Sequence, residues 1–242
     1  MKNLRDQSIP AEILEGEQKV FLNLSLMILL AVNFILKYLG HTYYREGYLE
    51  IQNPGFWLLV TNALFLFAIV YLNKEAAEWK WKDLGLGKPR VWWEPILTAV
   101  LVSGAIVLLS KYIQPLFLEL GNPPNISHLM VINQNLPVLI TALIVTWITA
   151  AFLEELVFRA FLINSLILLL GKSKAAIWGA VVISSVIFGM LHAWQGYSGI
   201  LTTSCVGLIF GVAYILNGRR IWPLIIVHGL IDTLTLISIY NM

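Results

Sequence analysis

The sequence predicts an all-α, polytopic membrane protein with about seven transmembrane helices. Hydrophobic residues make up 58% of the 242 residues and charged residues only 12%, about half the charged share of a typical soluble domain. Apolar windows of about twenty residues, the length that crosses a ~30 Å hydrocarbon core, recur along the whole chain. The windows comprise residues 20–39, 56–72, 95–120, 136–170, 175–192, 199–216 and 221–240.

The basic residues predict the orientation of these spans. Twelve of the sixteen Lys and Arg residues lie in the N-terminal segment and in the loops after spans two, four and six, including Lys2, Arg5, Arg90 and Lys172. The loops on the opposite side contain only Arg45. Because cytoplasmic loops of membrane proteins carry the excess of basic residues, we expect a cytoplasmic N-terminus and a C-terminus on the other side. The first apolar run is too long for a signal-peptide core, so we expect it to stay as the first span.

The charge distribution favours the lipid bilayer as a partner and excludes nucleic acid. The net charge is only +2, and no block of Lys or Arg is present. Tryptophans alternate with lysines in the loop after span two, a pattern typical of an aromatic belt at the membrane interface. They are Trp79, Trp81, Trp92 and Trp93.

Span four contains three ionisable residues in an otherwise apolar run. Glu154, Glu155 and Arg159 are the only charged residues between positions 136 and 170. A charge at the centre of a bilayer helix costs about 2.5 to 3.5 kcal/mol, so such residues usually serve a function. Glu155 and Arg159 are four residues apart and can pair on one helix face. Glu154 lies about 100° away round the helix and is less well placed for neutralisation, which suits a general base or acid.

Two later spans each contribute a histidine. His192 ends span five, four residues after Phe188. His228 lies in the first half of span seven, four residues before Asp232. His228 and Asp232 therefore share a helix face. Because these residues and the glutamates belong to three neighbouring spans, we expect Glu154 and both histidines to line one hydrated cavity.

The depths of these residues agree only if span four is unusual. Span four has 35 residues and would be about 50 Å long as an α-helix, longer than the bilayer is thick. We therefore predict that the turn between spans four and five protrudes into the cytosol, or that the helix breaks near Asn164 and Ser165.

Small residues predict that the later spans pack closely. These are Gly179, Ser184, Ser185 and Gly189 in span five, and Gly207 and Gly211 in span six.

Three short motifs, in order on successive spans, resemble the CPBP intramembrane metalloprotease/glutamic endopeptidase family. The motifs are Glu154-Glu155-x-x-x-Arg159, Phe188-x-x-x-His192 and His228-x-x-x-Asp232. The family comprises the type II CAAX prenyl endopeptidases and the Abi-type bacteriocin-processing and immunity proteins. The resemblance covers about residues 136–240. It divides the chain into an N-terminal membrane region, 1–135, without a recognised motif, and a catalytic membrane core, 136–242, formed by spans four to seven.

The resemblance implies an intramembrane endopeptidase that acts on a membrane-associated or lipidated peptide or protein. Glu154 and His192 would activate a water molecule, while His228 and Asp232 would stabilise the oxyanion. The family usually has asparagine at the last position, and an ionised Asp232 would repel an oxyanion. Asp232 must then be protonated or orient His228. We expect no metal and no cofactor, and a location in the inner membrane of a prokaryote. Supporting roles fall to Glu155, Arg159 and Phe188.

Three alternatives remain open from the residues alone. Glu, His and Asp are all competent zinc ligands, so a zinc-dependent variant of the peptidase is one, although no HExxH spacing is present. Buried Glu and His residues also form proton relays, so a second is a non-proteolytic protein, either a proton-coupled carrier or an immunity factor. The third is a serine or cysteine nucleophile. The single cysteine, Cys205, lies in span six without an adjacent base and excludes an intrachain disulfide.

Overall fold

The computed structural model describes residues 16–43, 54–89, 91–121, 126–171 and 173–242. All regular secondary structure within these residues is helical. Of the basic residues used to predict orientation, Lys2, Arg5, Arg45, Arg90 and Lys172 lie outside the described residues. Seven long helices occupy the seven predicted windows: α1 (Gly16–Tyr43), α2 (Pro54–Ala76), α3 (Trp93–Glu119), α4 (Leu136–Leu170), α5 (Lys174–Met190), α6 (Gly196–Leu216) and α7 (Trp222–Tyr240).

Five of the described helices are long and apolar enough to cross a membrane, namely α2, α3, α4, α6 and α7. The apolar part of α1, Phe21–Asn33, and the whole of α5 are shorter. The protein is therefore an all-α, multi-pass integral membrane protein. The count of seven spans stays a prediction, because length and composition support five of them.

Local sequence signals explain where the helices begin. The side chain of Asn135 accepts a hydrogen bond from the Val138 amide at the start of α4, and the Ser173 hydroxyl accepts one from the Ala176 amide at the start of α5. Both are N-caps, which satisfy amides that have no partner inside the helix. Pro223 stands in the first turn of α7, where a missing amide hydrogen costs nothing.

Helix α4 lies at the centre of the bundle. It contacts α2, α5, α6 and α7, and every residue from 155 to 165 is buried. Trp147–Ile163 is wound as a π-helix, and Asn164–Leu170 continues it as an α-helix. The predicted break near Asn164 and Ser165 is wrong. The Asn164 amide donates to the Ala160 carbonyl and to the Tyr214 hydroxyl, so its polar group is satisfied inside an unbroken helix.

Helices α5 and α6 pack closely through the predicted glycines. A Cβ atom on Gly207 would lie 3.1 Å from the Ser185 Cα atom, and one on Gly211 would lie 2.8 Å from a methyl group of Val181. At Gly189 a Cβ atom would overlap Ser204. Gly179 does not take part, because nothing lies within 4 Å of the position that its Cβ would occupy. The prediction of close packing is confirmed for these two helices.

The loop after α2 folds back onto the bundle. Trp79 is buried and its ring meets that of Phe161 in α4 at 6.5 Å, so its assignment to an interfacial belt is wrong. Trp92 and Trp93 are exposed, as a belt requires. Gly85 has a φ of +78°, and its carbonyl accepts a hydrogen bond from the Ile221 amide just before α7.

Helix α3 also joins the bundle by packing against α6 and α7. The sequence predicted a core formed by spans four to seven only. The boundary between an N-terminal region and a catalytic core near residue 135 remains a prediction.

Candidate active site

The candidate site is centred on the buried carboxylate of Glu155. Its side chain is completely shielded from solvent, in the middle of α4. One oxygen, Oε1, lies 3.1 Å from a terminal nitrogen of Arg159 and 2.8 Å from Nδ1 of His228. The predicted ion pair with Arg159 is therefore present. The hydrogen bond to His228, on α7, joins two of the predicted motifs in space.

His228 lies between two carboxylates. Its second ring nitrogen, Nε2, is 3.6 Å from Oδ2 of Asp232 one turn further along α7. This confirms that His228 and Asp232 share a helix face, at ion-pair distance but beyond the range of a hydrogen bond. Both ring nitrogens of His228 thus face acceptors. The side chains of His228 and Asp232 are 15% and 28% exposed, so this end of the network is its more accessible part.

Arg159 is held by aromatic rings as well as by Glu155. The centre of its guanidinium lies 4.5 Å from the centroid of the Phe188 ring and 5.1 Å from that of Phe210, within the range of cation–π attraction. Among the described residues, neither terminal nitrogen of Arg159 has a partner with hydrogen-bond geometry, and neither has Oε2 of Glu155. The pair is thus held by charge and packing, with little hydrogen bonding.

His192 joins the network through Phe188. Its Nδ1 atom lies 2.7 Å from the Phe188 carbonyl oxygen, and the two rings are 4.7 Å apart. An Nδ1–H that donates to this carbonyl makes Nε2 the acceptor nitrogen of a neutral imidazole. The prediction that His192 is inside span five is wrong. Helix α5 ends at Met190, and His192 lies in the turn that follows, where its amide bonds to the Gly189 carbonyl.

Glu154 belongs to the same charged group. It is half-buried and close enough to Arg159, His228 and Asp232 to interact electrostatically with each. Arg159 interacts more strongly with Glu155 than with Glu154, as the spacing predicted. Glu154 is nevertheless not isolated from the guanidinium.

Phe210 and Trp147 are two residues of the site that were not predicted from the sequence. Phe210 of α6 meets the His228 ring edge to face at 5.8 Å, in addition to its contact with Arg159. Trp147, two turns before the glutamates, donates a hydrogen bond from its indole nitrogen to Thr233 on α7. A single aromatic residue in an apolar helix carries no distinguishing signal in one sequence.

The Glu, Asp and His side chains of this site are residue types that can bind metal ions. Across the described part of the chain, no three His, Cys, Asp or Glu side chains are grouped so that they could hold a metal ion. His228 lies between the carboxylates of Asp232 and Glu155, and Glu155 also contacts Arg159.

The segment of the chain that contains the site matches a known protein family. Residues 136–234 match the family model described as Type II CAAX prenyl endopeptidase Rce1-like. No curated protein and no solved structure matches the chain. The matched segment contains all seven predicted site residues and the whole of the charged network.

Proposed function

We propose, from the match of residues 136–234 to the Rce1-like type II CAAX prenyl endopeptidase family model, that the chain is an intramembrane endopeptidase of glutamic type. The family is a protease family, which makes peptide-bond hydrolysis the expected chemistry. The substrate we propose is a membrane-associated or lipidated peptide or protein. The observation that carries the proposal is the buried Glu155–His228 contact, which unites residues from two separate motifs in a bundle of apolar helices.

In the proposed mechanism, Glu154 and His192 activate the attacking water. A carboxylate can take a proton from water and return it to the leaving amine. With Nδ1 of His192 bonded to the Phe188 carbonyl, Nε2 is the nitrogen that would accept from the same water. Phe188 thereby has a defined supporting role, because both its carbonyl and its ring hold the imidazole.

His228 is proposed to stabilise the oxyanion. Nδ1 donates to Glu155, and when the ring is doubly protonated Nε2 can donate as well. Donors fixed in advance at a developing oxyanion usually provide the largest part of the rate enhancement. Asp232, 3.6 Å from Nε2, would repel an oxyanion if it were ionised. We therefore assign Asp232 the role of orienting the ring.

Glu155 and Arg159 are proposed as supporting residues. Glu155 fixes the tautomer and direction of His228, and Arg159 balances the charge of the buried carboxylate. Neither is accessible to a substrate, because their side chains are 0% and 2% exposed.

We propose that hydrolysis needs no metal ion. The contacts of Glu155 with Arg159 and His228 support this, because they engage this carboxylate with protein groups. The alternative is a zinc-dependent form of the same peptidase. Dialysis against a strong chelator separates the two. We expect cleavage by the purified protein to be unchanged after chelation and after addition of zinc. A loss that zinc restores would favour the metal-dependent alternative.

We propose seven spans with a cytoplasmic N-terminus, in the inner membrane of a prokaryote. Support comes from the basic loops and from helices α1 and α5, which occupy the two predicted windows that are not among the five helices long and apolar enough to cross a membrane. Cysteine labelling tests the topology. In a Cys205→Ser background, cysteines introduced at Lys82 and at Gly218 should react only from the cytoplasmic side, and one at Gln134 only from the outside.

The experiment that tests the function compares membrane proteomes of wild-type cells and cells carrying Glu154→Gln or His192→Ala. We expect one or more uncleaved precursors to accumulate in both variants. Glu119→Gln, which changes an exposed carboxylate at the end of α3, is the matched control and should process normally. The purified proteins should reproduce the result on a peptide that spans the cleaved site. Normal processing in both variants would leave a non-proteolytic immunity factor or a proton-coupled carrier as the function.

A further inference from the structure

A glycine next to His228 lies directly on the indole ring of Trp147. A Cβ atom on Gly229 would be 2.6 Å from Cη2 and Cζ3 of that ring and 2.7 Å from Cε2. Side-chain carbons essentially never come this close to other heavy atoms. Helices α4 and α7 therefore reach their observed separation only because position 229 has no side chain.

A hydrogen bond fixes the same two helices along their axes. The indole nitrogen of Trp147 donates to the Thr233 hydroxyl at 3.1 Å. Gly229 and Thr233 are one turn apart on α7, directly beside the pair His228 and Asp232. The ring thus determines the helix separation at one position and the axial register at the next.

We propose that Trp147 is a positioning residue, which with Gly229 and Thr233 places His228 at bonding distance from Glu155. The 2.8 Å bond between Nδ1 and Glu155 directly joins a charged side chain of α4 to His228 of α7. His228 follows any movement of α7 at Gly229, because it is the adjacent residue. Displacing a catalytic group by about 1 Å can reduce the rate about 100-fold.

The consequence for catalysis rests on the proposed function, whereas the consequence for the Glu155–His228 bond does not. The experiment therefore has two readouts. The first is NMR of the full-length protein in micelles with ¹⁵N-labelled histidine. Only four histidines contribute signals, and His228→Gln identifies the resonance of His228. The second is the kcat and KM for cleavage of the substrate found by the proteomic comparison.

Gly229→Ala is the principal variant, and Gly179→Ala is its matched control. Both add one methyl group to a glycine inside a helix, but the methyl group at 179 enters open space. In Gly229→Ala we expect the hydrogen-bonded Nδ1 proton of His228 to be lost and kcat to fall about 100-fold, with KM nearly unchanged. Gly179→Ala should retain both the resonance and kcat.

The double variant Gly229→Ala/Trp147→Phe tests the contact itself. The three atoms that a Cβ would meet belong to the six-membered ring of the indole, and the smaller phenylalanine side chain leaves room for the methyl group. Phenylalanine cannot donate to Thr233, so we expect the double variant to recover the bonded His228 proton and to bring kcat back to within about 3- to 10-fold of the wild type, the remaining loss being that of the indole hydrogen bond. A double variant as impaired as Gly229→Ala would overturn the proposal. So would a His228 resonance in Gly229→Ala that matches the wild type.

Thr233→Val provides a second test of the positioning role, which applies even if Gly229→Ala does not fold. Valine has nearly the shape of threonine and removes only the acceptor of the indole hydrogen bond. We expect a shifted His228 resonance and a kcat reduced about 3- to 10-fold, the effect of one neutral hydrogen bond. An unchanged resonance with unchanged kcat would refute the positioning role. If no variant cleaves any substrate but the His228 resonance responds as expected, the positioning stands and the protease proposal fails.

Discussion

Replacement of Glu155 by glutamine should strongly destabilise this protein. The Glu155 carboxylate is fully buried and is within 3.1 Å of Arg159 and 2.8 Å of His228. Glutamine has almost the same shape and can still accept from the imidazole. It cannot balance the charge of a guanidinium that is itself only 2% exposed.

The size of the effect follows from the burial of the pair. Removing one partner of a buried ion pair typically costs about 3 to 5 kcal/mol, because the remaining charge is left uncompensated. A domain usually has a total stability of about 5 to 15 kcal/mol, so the loss would be a large part of it. The Phe188 and Phe210 rings would offset some of the cost by cation–π attraction, so the lower end of the range is the better expectation.

The free energy of unfolding can be measured by titrating the micelle-embedded protein with a denaturing detergent. Glu94→Gln is the control, since it breaks a partly exposed ion pair with Arg220 and should cost about 1 kcal/mol or less. The double variant Glu155→Leu/Arg159→Met removes both charges and should be more stable than Glu155→Gln. A Glu155→Gln protein as stable as Glu94→Gln would refute the view that the buried Arg159 charge depends on Glu155 for its compensation.

Three further predictions concern other parts of the molecule. Gly85→Ala should lower the melting temperature, at a cost of about 1 to 3 kcal/mol, because φ is +78° and the new methyl group would lie 2.6 Å from the Arg219 carbonyl. Asp232→Asn should keep or raise kcat on the substrate, because the amide removes a charge that repels an oxyanion; a large loss would contradict this. Asn164→Leu should lower the free energy of unfolding by about 1 to 3 kcal/mol, since the buried Tyr214 hydroxyl loses a partner. Unchanged thermal unfolding would contradict the first prediction and the third.

The helices could be located from the sequence because a run of about twenty apolar residues marks a membrane span without any knowledge of tertiary contacts. Each of the seven windows contains a long helix in the described residues. Their ends depend on local geometry instead. Helix α5 ends at Met190, so His192 lies in the turn that follows the helix. There its backbone amide donates a hydrogen bond to the Gly189 carbonyl. The burial of Trp79 likewise depends on how its loop folds, which hydropathy does not encode.

In the site, the sequence predicted the contacts within one helix but not the contact between two helices. Glu155–Arg159 and His228–Asp232 are each four residues apart on one helix, so spacing alone predicted both pairs. The Glu155–His228 bond joins two helices and depends on their relative rotation and separation. Those are set by shape, here by the fit of Gly229 against Trp147. Neither residue is polar enough to attract attention in a sequence, although together they bring the charged residues to bonding distance.

The length predicted for span four assumed that all of it is an α-helix, and the winding of α4 differs from this. Trp147–Ile163 forms a π-helix, far longer than the single turns in which this winding usually occurs, often at functional sites. With more residues in each turn, the helix advances less per residue, so 35 residues need a shorter path than an α-helix would take. The helix is unbroken through Asn164 and Ser165, so of the two alternatives that the sequence left for span four, the protruding turn between α4 and α5 stays a prediction.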